Sequence, residues 1–171
     1  MIRTAILSVQ GSGGSGEGTV AAVREVLGRG PFTEVDYQVV PDEQAMIRAK
    51  LRLWADDSSA DLVLTLGGIG AQMRHRTPDA TLEVIDRQFP GIPEILRAAG
   101  SREDRGAGLW RAAAGVRRHT LIVNLPGEAR SAGTALAAAL HLLSDAARVL
   151  ADARRLAANL DPEADSNPPG R

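Results

Sequence analysis

Cysteine is absent from the 171 residues. Its absence excludes a disulfide framework and any thiolate-held metal. The three histidines, His75, His119 and His141, are scattered and lack zinc-ligand spacing. Aromatic residues make up only 3% of the chain, too few for a base-stacking platform. Neither charge is in excess, with 20 Lys and Arg against 21 Asp and Glu. That argues against a nucleic-acid partner, which calls for a basic face, while leaving room for a local anion site. No uninterrupted apolar run approaches the roughly 20 residues of a membrane span. Met1-Ile2-Arg3-Thr4 runs straight into a strand pattern, without a signal-peptide layout. The expectation is a soluble, cytoplasmic protein with no membrane and no nucleic-acid partner.

What is present organises itself around Asp61 to Thr81, DLVLTLGGIGAQMRHRTPDAT. The run Leu62-Val63-Leu64-Thr65-Leu66 predicts a buried strand, and Gly67-Gly68-Ile69-Gly70 a tight turn after it. Glycines there permit positive φ and remove the Cβ atoms that would hold a ligand off the backbone. Thr77-Pro78-Asp79 then reads as N-cap, first helical position and first-turn acid of a helix reaching about Asp86.

Around this centre, Ile2 to Val9 predicts a first strand. A glycine and serine loop follows (Gly11 to Gly18), then a helix capped by Thr19 with Val20, Val23 and Leu27 inward. Val35, Tyr37 and Val39 alternate as a second strand. Asp42 is placed as the N-cap of a helix with Ile47, Leu51 and Trp54 inward. Pro93 opens a short helix closed by Gly100. Residues 101–108 read as a charged loop, and Leu109 to Ala114 as a short helical stretch. Thr120 to Asn124 is a buried strand ending at Leu125-Pro126-Gly127, and a long Ala/Leu-rich helix runs from Ser131 to about Ala158. Strands alternating with helices imply an α/β fold of three layers, α/β/α, with a mostly parallel central sheet. Residues 1–158 form one domain and 159–171 a polar, Pro-rich, disordered tail.

The candidate sites each have a plain reading beside the functional one. Gly11-x-Gly13-x-x-Gly16, with Asp36 about 20 residues on, matches a dinucleotide fingerprint. However, a loop this rich in glycine matches by composition alone, and Asp36 sits mid-strand. Ser12, Ser15 and bare amides of that loop remain able to hold a phosphate or a pterin edge. Asp42 is a capping acid or a Mg²⁺ ligand, since that ion binds through one or two carboxylates plus substrate phosphates. Arg74-His75-Arg76 is a solvated basic loop or a clamp for a phosphate or carboxylate. Pro126-Gly127 with Ser131 is a simple strand-to-helix turn or an anion seat at a helix N-terminus.

Taken in order, these pieces resemble the molybdenum-cofactor biosynthesis MoaB/Mog family, which includes the G domain of gephyrin. The resemblance runs from about Ile2 to Ala151. It is carried by Pro41-Asp42-Glu43-Gln44, Asp61 to Thr65, Gly67-Gly68-x-Gly70, Arg74, Thr77-Pro78-Asp79-Ala80-Thr81, Pro90-Gly91 with Glu94 and Arg97, Arg111, Ala114-Gly115-Val116 and Asn124-Leu125-Pro126-Gly127. The resemblance implies an α/β/α fold, commonly a trimer, binding molybdopterin at the glycine turn. Active members adenylylate molybdopterin with MgATP and release pyrophosphate. Asp42 would hold the Mg²⁺. Ser12, Gly67, Gly68, Ile69, Gly70, Arg74, Thr77, Asp79, Glu94, Pro126, Gly127 and Ser131 would line the substrate pocket.

Four positions depart from the family pattern. Ile69 replaces the Thr of GGTG, Trp110 a Ser, and Ala129 a Pro. His75 replaces an Asp that serves as the family's second active-site carboxylate. Asp79 and Glu94 are the acids available to substitute for it. Two readings follow: an adenylyltransferase in which Asp42 and His75 occupy the catalytic positions, or a non-catalytic pterin- or nucleotide-binding homologue or scaffold.

Overall fold

The computed structural model describes residues 1–11 and 16–160. In chain order the elements are β1 (Ile2–Gln10), α1 (Glu17–Leu27), β2 (Phe32–Pro41), α2 (Gln44–Asp56), β3 (Leu62–Leu66), α3 (Thr77–Val84), β4 (Arg87–Gln88), α4 (Gly91–Gly100), a 3₁₀ turn (Arg105–Leu109), β5 (Ala114–Arg117), β6 (Thr120–Leu125) and α5 (Ala129–Leu160). The described strands form one sheet in the order β2-β1-β3-β6-β5-β4. Pairings β1–β2, β1–β3 and β3–β6 are parallel, while β6–β5 and β5–β4 are antiparallel.

Strand alternation divides the interior in two. Leu62, Leu64 and Leu66 of β3, with Leu121, Val123 and Leu125 of β6, face one layer, where they meet α1, α4 and α5. Val63 and Ile122 face the other layer and meet Ile47, Leu51 and Trp54 of α2 with Ala80 and Val84 of α3. β3 is buried along its whole length, as a strand covered on both faces must be. This is the three-layer α/β/α architecture that the sequence pattern implies.

The second layer carries a polar knot. Fully buried Asn124 donates to Thr65 Oγ1 and Thr81 Oγ1, both at 2.9 Å, and accepts from the Ala113 amide at 3.0 Å. It ties β6 to β3, α3 and the start of β5. At the opposite end of the sheet, buried Asp61 pairs with Arg3 at 2.7 Å and with Arg154 of α5 at 3.1 Å. Burial pushes the Asp61 carboxyl up. Hydrogen bonds from Arg3, with the charges of Arg3 and Arg154, outweigh it and hold the group below its ordinary value.

Several sequence expectations are corrected. Leu109 to Ala114 is not helical: the 3₁₀ turn ends at Leu109 and β5 begins at Ala114. β4 and β5 are strands that the pattern does not reveal. Helix α3 stops at Val84, α4 starts at Gly91 rather than Pro93, and Asn159 and Leu160 continue α5. The rest of the expected tail, 161–171, lies outside the described residues. Thr19 caps nothing. It lies inside α1, and its hydroxyl donates to the Gly127 carbonyl at 2.6 Å. Helix α5 is long and apolar enough to cross a membrane by length and composition. Here its Ala132, Ala135, Leu136, Ala139, Leu140, Leu143 and Ala147 face is part of the larger core.

Two outcomes test this packing. Asn124→Ala removes three buried hydrogen bonds and is expected to lower unfolding free energy by about 2–4 kcal/mol in a urea titration. Asp61→Asn should reduce stability at neutral pH, because a depressed carboxyl stabilises the fold only while ionised. The gap from the wild type should close as pH falls below about 4, through the folded-state value.

Candidate ligand site at the carboxyl edge of the sheet

The chain passes from β1 to β2 on one side and then to β3 on the other. The carboxyl ends of β1 and β3 therefore flank a crevice, the place where open parallel sheets bind ligands. Gly11 follows β1, Asp42 follows β2, Gly67-Gly68 follow β3 and Pro126-Gly127 follow β6. The Asp42 amide donates to the Gln10 carbonyl at 2.9 Å, and the Gly67 amide to the Leu125 carbonyl at 3.0 Å. These bonds draw the four strand ends together.

Gly67 and Gly68 both have positive φ, 94° and 68°. A Cβ on Gly68 would lie 3.0 and 3.2 Å from the two Asp42 carboxylate oxygens and would collide with Thr77 Oγ1. Two bare residues thus let the start of α3 and the end of β2 close onto one point. Asp42 does not cap α2, whose N-cap is Glu43. Its Oδ1 instead accepts the Arg76 amide at 2.9 Å, so it serves the N-terminus of α3. Its Oδ2 lies 3.6 Å from His75 Nδ1.

Thr77 is the first helical residue of α3 rather than its cap. Among the described residues, His75 Nδ1 and Thr77 Oγ1 are the buried side-chain polar atoms without a hydrogen-bond partner. Buried polar groups are ordinarily satisfied. Two orphans beside one carboxylate mark a place built for something else to complete.

Arg111 holds the loop that carries His75. Its amide donates to the Ile69 carbonyl, and its guanidinium to the Gly70 and His75 carbonyls and to Asp79, at 3.0 Å for the nearer oxygen. That pairing holds the Asp79 carboxyl below its ordinary value. Asp79 is therefore already committed to a cation and does not replace the missing second acid. Arg111 is legible in the sequence only as a family position; the partners of its side chain lie 32 to 41 residues away.

The remaining candidates separate. Gly70 lies against the imidazole of His75. Ile69 turns its side chain into the larger core, so it neither plugs the crevice nor lines it. Trp110 joins the same core against Gly100. Arg74 is exposed beside the site, whereas Glu94 is exposed on α4, in the layer across the sheet. Ser131 is buried, and its amide bonds to Glu128 Oε2 at 2.8 Å. The anion seat expected there is filled by Glu128, which the sequence pattern does not single out. Amides of Arg130 and Ser131 hold the Glu128 carboxyl below its ordinary value. Asp36 accepts a hydrogen bond from Trp54 Nε1 at 2.9 Å, a role within the fold. Ser12, Ser15 and Gly13 lie outside the described residues. A cleft of about 630 Å³ between the end of α5 and the β4–β5 edge sits at the opposite end of the sheet, away from all of these groups.

Comparison with known proteins identifies the family. The family model described as "Probable molybdopterin binding domain" matches residues 16–145. A molybdopterin adenylyltransferase of Escherichia coli (strain K12) is 44% identical over 101 residues, covering 59% of this chain and 51% of that protein. One from Helicobacter pylori is 38% identical over 113 residues, 64% of each protein. The match thus spans between about half and just under two thirds of these curated relatives. The crystal structure of the molybdopterin biosynthesis enzyme MoaB from Thermus thermophilus superposes with a TM-score of 0.81. It is 45% identical, covering 88% of this chain and 96% of that one. On sequence and on fold, the chain belongs to the MoaB/Mog family of molybdopterin-binding domains.

Proposed function

We propose that this protein adenylylates molybdopterin in molybdenum-cofactor biosynthesis. AMP is transferred from ATP to the phosphate of the pterin, and pyrophosphate leaves. The observation that carries the reading is the convergence of Asp42, His75 and Thr77 on the Gly67-Gly68 turn, at the crevice where such a sheet takes its ligand. Relatives named as molybdopterin adenylyltransferases support the enzyme over a non-catalytic carrier.

The transfer forms one phosphorus–oxygen bond at the α-phosphorus as another breaks toward pyrophosphate. Positioning and charge neutralisation supply most of the rate. The bare Gly67-Gly68 backbone admits the anionic ligand, with Gly70 and the Pro126-Gly127 turn at its borders. Arg74 stands beside the crevice, free to neutralise a phosphate. Arg111 keeps the loop in place. Asp42 presents one carboxylate and Thr77 one hydroxyl. Together they offer two oxygen donors toward the divalent cation that accompanies ATP. When bound, the ion would offset the charge of the ATP phosphates. No cluster of three His, Cys, Asp or Glu occurs among the described residues, so the protein's share of such a site is small.

The domain is taken as residues 1–158, acting in the cytoplasm as a homo-oligomer, a trimer by family resemblance. Val35 and Val39 on edge strand β2, with Met46 and Leu53 on α2, are 45–50% exposed. Self-association would cover that apolar surface.

Asp42→Asn retains an oxygen for the Arg76 amide and should fold normally. Its pyrophosphate release with ATP, Mg²⁺ and molybdopterin is expected to fall by about 100-fold or more; an unchanged rate would remove Asp42 from the chemistry. Gly68→Ala meets both the φ penalty and the Thr77 and Asp42 side chains. It is expected to cost about 1–3 kcal/mol in denaturant unfolding and to abolish ATP binding measured by calorimetry.

A further inference from the structure

We infer that Asp42, His75 and Thr77 form a mixed oxygen–nitrogen site for a borderline transition-metal dication of the zinc or cobalt(II) class, in preference to Mg²⁺. The inference concerns the site of the proposed reaction, and so rests on that reading for its place in function, but it holds for the protein without substrates.

Three features lead to it. First, His75 Nδ1 is buried and unpartnered, and its 3.6 Å separation from Asp42 Oδ2 is beyond hydrogen-bond reach. Such a nitrogen is either wasted or a ligand. Second, the Asp42 side chain is 13% exposed, and it faces one backbone amide and this imidazole. Among the described residues no Lys or Arg pairs with the carboxylate and its one ion-pair neighbour is the His75 imidazole at 3.6 Å, while a charge removed from water in this way needs a countercharge. A dication supplies it. Third, the spacing discriminates between ions. An ion about 2.1 Å from both donors would see them at an angle of about 120°. That is near tetrahedral or five-coordinate geometry, and far from the right angle that Mg²⁺ demands. The Thr77 hydroxyl, also orphaned, lies against the same point as Asp42 where a Gly68 Cβ would stand. Imidazole nitrogen selects zinc and cobalt over magnesium on chemistry as well.

The test is a titration of the nucleotide-free full chain with Co²⁺, read by visible absorption and calorimetry, and with Zn²⁺ in competition. One Co²⁺ per chain is expected, with the absorption of a four- or five-coordinate nitrogen–oxygen site. Binding should weaken about tenfold or more in His75→Asn, and equally in His75→Gln should the first variant fold poorly. His119→Asn should bind as the wild type does. His75→Asp should lose Co²⁺ selectivity and gain affinity for Mg²⁺. Equal Co²⁺ affinity in wild type and His75 variants, displacement of Co²⁺ by equimolar Mg²⁺, or no binding would each overturn the assignment. Pyrophosphate release that persists without His75-dependent metal binding would sink this inference alone. Metal binding without any turnover would instead sink the adenylylation reading alone.

Discussion

Two successive left-handed residues at the end of β3 are the constraint on which the rest of the site depends. Gly67 and Gly68 turn the chain so tightly that the start of α3 and the end of β2 meet across them. Any side chain at Gly68 would separate Asp42 from Thr77 and break the bond between Asp42 and the Arg76 amide. The bareness that a ligand requires is therefore also what assembles the protein groups around it. On the proposed function, stability and binding are paired at this turn.

The framework around the turn is rigid for reasons that can be named. Asn124 fastens β6 to β3 and α3 from inside the smaller core. Arg111 ties the His75 loop to Asp79 from outside. The Glu128 carboxylate closes the N-terminus of α5, and Thr19 anchors α1 to Gly127. Asn124, Arg111 and Thr19 each join elements distant in sequence, and all of these bonds lie toward the carboxyl edge. Asp61 with Arg3 and Arg154 plays the corresponding part at the far edge.

Much of this is legible in the residues. The Leu- and Val-rich run of β3, the glycine turn after it and the 3.6-residue periodicity of α2 and α5 are local signals, and the structure follows them. β5 is not legible. Ala112-Ala113-Ala114 favours helix by propensity, and only pairing with β6 and β4 makes the segment extended. Gly115 gives the one clue, since a Cβ there would strike the Arg87 carbonyl of β4, but that neighbour is known only after folding. Asp42 reads as an important acid, yet its partner does not follow from sequence order. A residue preceding a helix reads as its cap, while the amide it serves, at the N-cap of α3, lies 34 residues later. Ile69 and Trp110 look like pocket substitutions because they depart from the family pattern, one inside the glycine turn and the other next to Arg111. In three dimensions both belong to the core, whereas His75 lies beside Asp42, where it changes the chemistry of the site.

The central claim is where the nucleotide and pterin bind. A crystal structure of the full chain with ATP, a divalent cation and molybdopterin tests it most directly. Phosphate density is predicted against the Gly67-Gly68 backbone, facing Asp42 and His75. Density instead in the cleft between the end of α5 and the β4–β5 edge, with the glycine turn empty, would contradict it.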